Sequence, residues 1–418
     1  MRTDAPAILV ISTDARTQVS RLSFRFWKYG CRVSALCGPD SELRVAMHMD
    51  ACYSFRAWDP LASLRSAIEK SGAEYILPGD ALSYCLAQRL AMQSAECRKK
   101  IEQSLGPLSS LKSLGSRYGA LAVASELGIR VPVTIPVSGL GDIAASEPDG
   151  KFPIVLKRDG SGAGRGVALV EDSAGLAEAW RKLAAETSCA HKLRQLVLGC
   201  DPAGFVESCG LQGAGFCAQQ MIEGVPANAM FACWQGRVLG QLQARSLVSE
   251  RKRMPALVIE LIHDDRIARA GELLARKLQL SGFFGLGFIS SEATGEPYLI
   301  SVNPYCTQLG HIQTAGRTDL AGLLWAQWTG RPAPDASDQS LSNVVSFYPF
   351  MPEKGMGGAS LAKARWDIDG DALLVGTRVL KDLRGPFAWM RRNAYMSASR
   401  PLSAALPVDA VHYFKNPQ

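Results

Sequence analysis

FPIVLKRDGSGAGRGVALVED, residues 152–172, places a short apolar strand pattern ahead of a lysine and then four glycines on alternate positions, Gly160, Gly162, Gly164 and Gly166. In a strand successive side chains alternate between faces, so Ile154 and Leu156 share one face while Val155 and Lys157 share the other. The glycines let a turn approach a ligand closely and offer it backbone N–H groups. Three familiar phosphate loops do not fit. A P-loop sets its lysine after the glycines, whereas Lys157 comes before them. A GxGxxG fingerprint starting at Gly160 or Gly162 would need glycine where Arg165 or Val167 stands. Protein-kinase loops also place their glycines ahead of the lysine. What remains is strand, lysine, glycine-rich turn, strand, which suits either a phosphate-closing hairpin or a surface hairpin with a solvated lysine.

Around this stretch the chain alternates strand and helix patterns. AILVIS (7–12), VSALC (33–37) and EYILPGD (74–80) predict buried strands. A helix with the stripe Val19, Leu22, Phe26 and Tyr29 lies between the first two and stops at Gly30. Such alternation predicts an open parallel α/β sheet, with ligands at the carboxyl ends of its strands, where Asp80 falls. Further helices are expected at about 116–127, 173–186 and from Asp264 or Asp265 onward. FCAQQMIEG (216–224) predicts a strand running into a turn. GFFGLGFISSEATGEPYLISVN (282–303) predicts two strands joined at Thr294-Gly295-Glu296. RPAPDASD (331–338) has a linker composition.

The 418 residues are 47% hydrophobic and 20% charged, the composition of a globular protein, and no apolar run nears the about 18 residues of a membrane span. Asp4 and Pro6 interrupt any signal-peptide pattern, so a cytoplasmic protein is expected. The eleven cysteines are scattered without CxxC pairs or zinc spacing, which argues for reduced thiols. Residues 381–418 hold six basic side chains against two acidic ones, a tail suited to a solvated helix edge or to an anionic membrane surface. No nucleic-acid recognition motif accompanies the charge.

Four segments taken in order resemble the ATP-grasp superfamily. They are SRYGALAVASELGIRVPVTIPV (116–137), FPIVLKRDGSGAGRGVALV, AQQMIEG (218–224) and GEPYLISVNPY (295–305). The resemblance spans about residues 1–330 and implies an N-terminal α/β domain (1–112). A two-lobed ATP-grasp domain (113–330, small lobe about 150–223) follows, and then a C-terminal extension (331–418). It implies that Lys157 and Arg117 bind nucleotide phosphates and that Gly160, Gly162, Gly164 and Gly166 close over them. It also implies that Gln220 and Ile222 hold adenine. The same resemblance implies magnesium ions on the strand that here reads YLISVNPY. Asn303 keeps its place there, while Ser301 stands where the family has glutamate and Tyr305 where it has arginine. Asp264, Asp265, Glu260 and Glu292 are the nearby acids weighed as substitutes, and Gly287 sits on the preceding strand.

The implied reaction is ATP-dependent ligation of a carboxylate to an amine or thiol through an acylphosphate. Basic residues beside the γ-phosphate hold the substrate carboxylate in such a reaction. ARSLVSERKRMP (244–255) supplies Arg245, Arg251, Lys252 and Arg253. His311 is a candidate substrate ligand or proton carrier, with Arg317 near it, and a homodimer is expected. Two other readings stay open: a non-catalytic ATP- or ADP-binding protein with a degenerate metal site, and an interaction protein whose basic tail meets a membrane.

Overall fold

Six consecutive buried residues make β1 (Ala7–Ser12) a central strand, and the computed structural model surrounds it with parallel neighbours. The structure describes residues 5–13, 19–38, 41–44, 46–145, 152–159, 166–185, 215–249, 256–316, 319–335, 341–347 and 364–367. β2 (Arg32–Cys37) and β4 (Tyr75–Pro78) flank β1, and β3 (Ala51–Ser54) lies beyond β2, giving the parallel order β3-β2-β1-β4. Helix α1 (Val19–Lys28) carries the expected stripe: Val19, Leu22 and Phe26 are buried. A 3-10 turn (Glu42–Arg44) follows β2. α2 (Pro60–Ser71) starts on an Asp59 cap with Pro60 in its first position and stops at a left-handed Gly72. α3 (Ala81–Gln93), α4 (Ala95–Leu105) and α5 (Leu108–Leu114) complete the N-terminal layer. Asp80 is the N-cap of α3. Its carboxylate also accepts from the Thr13 N–H at 2.6 Å and the Thr13 hydroxyl at 2.8 Å, so it ties the ends of β1 and β4 together.

Helix α6 (Arg117–Glu126) leads into a small antiparallel sheet of order β5-β8-β6-β7, made of β5 (Thr134–Val137), β6 (Ile154–Arg158), β7 (Val167–Val170) and β8 (Phe216–Gln220). Helices α7 (Leu140–Ala145) and α8 (Ser173–Ala185) belong to this lobe. Leu156, Val137, Ile143, Val170, Leu183 and Ala218 form its core.

The large sheet runs β13-β12-β9-β10-β11-β14-β15, antiparallel except for the last pair. It comprises β9 (Gly224–Trp234), β10 (Arg237–Ser249), β11 (Ala256–Ile262), β12 (Gly282–Ser291), β13 (Pro297–Asn303), β14 (Val344–Ser346) and β15 (Arg365–Trp366). Helix α9 (Asp265–Leu278), capped by Asp264, lays Ile267, Ala270, Leu274 and Leu278 into the same core as Ala227, Ala229, Phe231 and Phe288. Helix α10 (Leu320–Thr329) packs with α1 into the core that holds Met230, Ala232, Ala244 and Phe283. With apolar partners on both faces, β9 loses the polar alternation that would mark it as a strand.

Two features differ from the sequence expectation. Arg245 lies inside β10, a strand not predicted from the sequence. Residues of the expected C-terminal extension supply β14 and β15, so part of it is built into the large sheet. No helix among the described residues is long and apolar enough to cross a membrane.

Candidate nucleotide cleft

Strand alternation decides what the small lobe presents. On β6, Leu156 enters the lobe core, which turns Lys157 to the opposite face. In the antiparallel register Val155 pairs with Gln219 and Ile154 with Gln220, so Gln219 shares the Lys157 face and Gln220 does not. Lys157 is buried at 6% exposure, and its ammonium donates to Gln219 Oε1 at 2.6 Å. Gln219 Nε2 in turn donates to Thr134 Oγ1 at 3.2 Å. Gln220 is exposed at the strand end, where its backbone N–H donates to the Val133 carbonyl. Ile222 is half-buried in the segment joining β8 to β9. Gln219, the neighbour of Gln220, is therefore the residue that meets Lys157.

Arg117 comes to the same turn. It is the first residue of α6, its backbone N–H donates to Asp159 Oδ1 at 2.8 Å, and its Nε donates to the Arg158 carbonyl at 2.9 Å. Burial pushes the Asp159 carboxyl up, and the Arg117 and Ser116 hydrogen bonds oppose that shift. Gly166 closes the other side of the turn with φ +62°, a backbone that favours glycine, and its carbonyl accepts from the Arg158 N–H. Gly160, Gly162 and Gly164 lie outside the described residues, as do Arg251, Lys252, Arg253, Arg317 and the basic tail.

The facing wall is β13, the edge of the large sheet. Lys157 Nζ reaches it, donating to the Ile300 carbonyl at 3.0 Å. That carbonyl is available because the β12–β13 register shifts between Gly287↔Ser301 and Phe288↔Leu299, leaving Ile300 as an extra residue. Simple alternation through Ile300 therefore does not hold, although Ser301 and Asn303 do share a face. Gly287 lies between them and β9: a Cβ there would sit 2.5 Å from Ser301 Oγ and 3.8 Å from Asn228 Oδ1. Asn228 is a polar neighbour that sequence reasoning missed, and its pairing with Gly287 across β9–β12 is what brings it in. Asn303 Oδ1 accepts from the Tyr305 hydroxyl at 3.2 Å.

Asn228, Ser301, Asn303 and Tyr305 are uncharged donors at neutral pH, whereas magnesium at nucleotide sites is held by carboxylates together with phosphate. Three of the four nearby acids have carboxylates engaged elsewhere. Glu260 pairs with Arg245 at 2.6 Å, Asp264 caps α9 and pairs with Arg266, and Asp265 meets His263. The Glu292 backbone N–H donates to the Glu223 carbonyl at the hairpin turn. Among the described residues no three His, Cys, Asp or Glu side chains gather as a metal requires. The donor set therefore does not fit a magnesium ion held by protein carboxylates.

Arg245 is not part of this wall. It pairs in register with Ala227, one face away from Ala244, Asn228, Gly287 and Ser301. His311 is buried with its Nε2 3.0 Å from Asp367 Oδ2, and burial pushes its pKa down against the Asp367 contact.

No protein-family model matches the chain, and no curated protein matches it in sequence. Solved structures do match. The ADP complex of an N5-carboxyaminoimidazole ribonucleotide synthetase superposes with TM-score 0.58 at 15% identity, over 80% of this chain and 80% of that one. An L-amino acid ligase from Bacillus licheniformis gives 0.55 at 14% identity, over 78% and 74%. A biotin carboxylase from Campylobacter jejuni, in a β,γ-ATP complex, gives 0.56 at 14% identity, over 82% and 75%. With a parallel N-terminal sheet, a small antiparallel lobe and a large antiparallel sheet in the expected order, the chain has the ATP-grasp fold.

Proposed function

We infer that the chain binds ATP between the small lobe and β13, and uses it to join a carboxylate to an amine or thiol. The observation that carries the reading is Lys157, a buried ammonium bridging Gln219 Oε1 and the Ile300 carbonyl at the mouth of the glycine turn. Both are neutral oxygens, and a phosphate oxygen is a stronger acceptor for an ammonium than either. Arg117 supports the same place from the base of the turn. The solved structures are named as a synthetase, a ligase and a carboxylase, the first in complex with ADP and the last with β,γ-ATP.

In this reading a carboxylate oxygen attacks the γ-phosphorus of ATP, the β–γ bridging bond breaks and ADP leaves. The nucleophile then attacks the acyl carbon, expels phosphate and gives up a proton. The protein's share is positioning and charge neutralisation, by Lys157 and Arg117 at the nucleotide and by the arginine-rich segment through Arg253 at the substrate carboxylate. Arg245, ion-paired on the opposite face, is left out of that role. The reading places the protein in the cytoplasm, where ATP is at hand, with a homodimer as its expected assembly.

A second reading, nucleotide binding without turnover, is favoured by the uncharged wall of Asn228, Ser301 and Asn303. One experiment separates the two. The protein is incubated with ATP, pooled carboxylates and hydroxylamine, which traps acylphosphates as hydroxamates. ADP and hydroxamate forming together support the ligase. Saturable ATP binding with neither product supports the second reading, and no ATP binding overturns both.

A further inference from the structure

Charged side chains also gather away from the cleft, where α1, the 3-10 turn after β2, the loop after β13, the start of α10 and β15 meet. Arg21, Arg25, His311, Asp319 and Asp367 are each between 3% and 7% exposed. Arg21 Nη1 donates to Asp367 Oδ2, the oxygen that His311 Nε2 also approaches at 3.0 Å. Arg25 Nε lies 3.7 Å from Asp319 Oδ2, which accepts from the Tyr29 hydroxyl at 2.7 Å. Ser20 Oγ donates to Glu42 Oε2 at 3.0 Å, and the charges of Asp367 and Arg25 both act on Arg365.

Burying this many charges is a poor way to gain stability, since well-packed apolar side chains do as well or better. Location supplies another reason for them. α1 follows β1 and the 3-10 turn follows β2, so the cluster lies at the carboxyl ends of the parallel strands, where open α/β sheets take their ligands. Asp367 stands apart from the other acids. It comes from the far end of the chain, just past a two-residue strand, where its own N–H donates to the Ser346 carbonyl at 3.1 Å. Its carboxylate is the group delivered into a pocket of guanidinium and imidazole, the chemistry that recognises carboxylates. The cluster also holds a polar atom that Asp367 leaves unused: His311 Nδ1 is buried and, among the described residues, has no hydrogen-bond partner. With Nε2–H directed at Asp367, Nδ1 carries a lone pair that accepts from a ligand hydroxyl.

We propose that this cluster is a binding site for a small carboxylate bearing an adjacent hydroxyl, and that Asp367 occupies it in cis as a built-in competitor. Arg21 holds the carboxylate and His311 Nδ1 accepts from the hydroxyl. Asp367 gives up the position when the ligand enters. The site stands independently of whether nucleotide is turned over; in the ligase reading it is a place to recognise a carboxylate compound.

The test uses D367A, which empties the position, with thermal unfolding followed in glycolate, acetate or chloride at equal ionic strength. Glycolate should raise the melting temperature of D367A by several degrees more than chloride does, acetate by less than glycolate, and the unaltered protein should respond to glycolate less than D367A does. Glycolate no better than chloride would overturn the site, and acetate equal to glycolate would overturn the part given to His311. If D367A is too unstable to purify, refolding yield in glycolate against chloride becomes the readout, and equal yields overturn the proposal. The outcome does not depend on ATP, so it separates cleanly from failure of the nucleotide reading.

Discussion

The two walls of the cleft differ in charge. The small-lobe wall carries Lys157, with Arg117 at the base of its turn, held by Gln219, Arg158 and Asp159. The β13 wall facing it offers Asn228, Ser301 and Asn303, none of them charged. A hydrogen bond from Lys157 to the carbonyl exposed by the bulge at Ile300 joins them. The comparison separates two jobs that one cleft can combine. Holding a triphosphate needs cations, which the first wall has in Lys157 and Arg117. Fixing a divalent cation needs carboxylates, which the second wall lacks.

Removing a cation from the charged wall should have the largest effect among the changes that probe this contrast. Arg117→Ala should weaken ATP binding about 30-fold, because charge-assisted hydrogen bonds contribute roughly 1.5–3 kcal/mol each; fluorescence titration with a labelled ATP analogue checks it. Giving the neutral wall a carboxylate is the reciprocal change. Ser301→Glu should make ATP binding stronger in magnesium than in chelator by about tenfold, while the unaltered protein differs by less than about threefold. A Ser301→Glu protein indifferent to magnesium would show that this face does not meet the nucleotide.

Smaller effects test strand parity. Gln219→Ala removes the amide oxygen 2.6 Å from Lys157 Nζ and should cost about fivefold in ATP affinity, in line with one hydrogen bond of about 1 kcal/mol. Gln220→Ala, on the other face, should stay within about twofold. The smallest change belongs to Arg245→Ala. Its partner Glu260 is about one-third exposed and Arg245 more so, and the pair lies behind the sheet. Unfolding in urea should shift by less than about 1 kcal/mol, with ATP affinity unaltered.

Much of this was legible in the sequence where one face of an element meets solvent or a single helix. The stripe Val19, Leu22, Phe26 predicts α1, and alternation through PIVLK puts Lys157 on its proper face. GVPANAMFACW, by contrast, shows no period of two because β9 is covered by α9 on one side and by the α1 and α10 core on the other. The sequence predicts neither β9 nor β10, so it leaves Arg245 without an assigned element. The Gln219–Gln220 distinction turns on register, and two adjacent identical residues give a sequence no way to choose. The Ile300 bulge depends on how β12 pairs with β13, a long-range choice that alternation alone does not encode. Asp367 was invisible for a similar reason, since a two-residue strand has no period and its partners Arg21 and His311 lie 346 and 56 residues away.

The central claim is that Lys157 faces nucleotide phosphate. Calorimetric titration of ATP into the unaltered protein and into Lys157→Met tests it most directly. The account predicts saturable binding to the first and affinity about 100-fold weaker in the second, the upper range for losing a charged hydrogen-bond donor in a buried site. Equal affinity in the two proteins would contradict it.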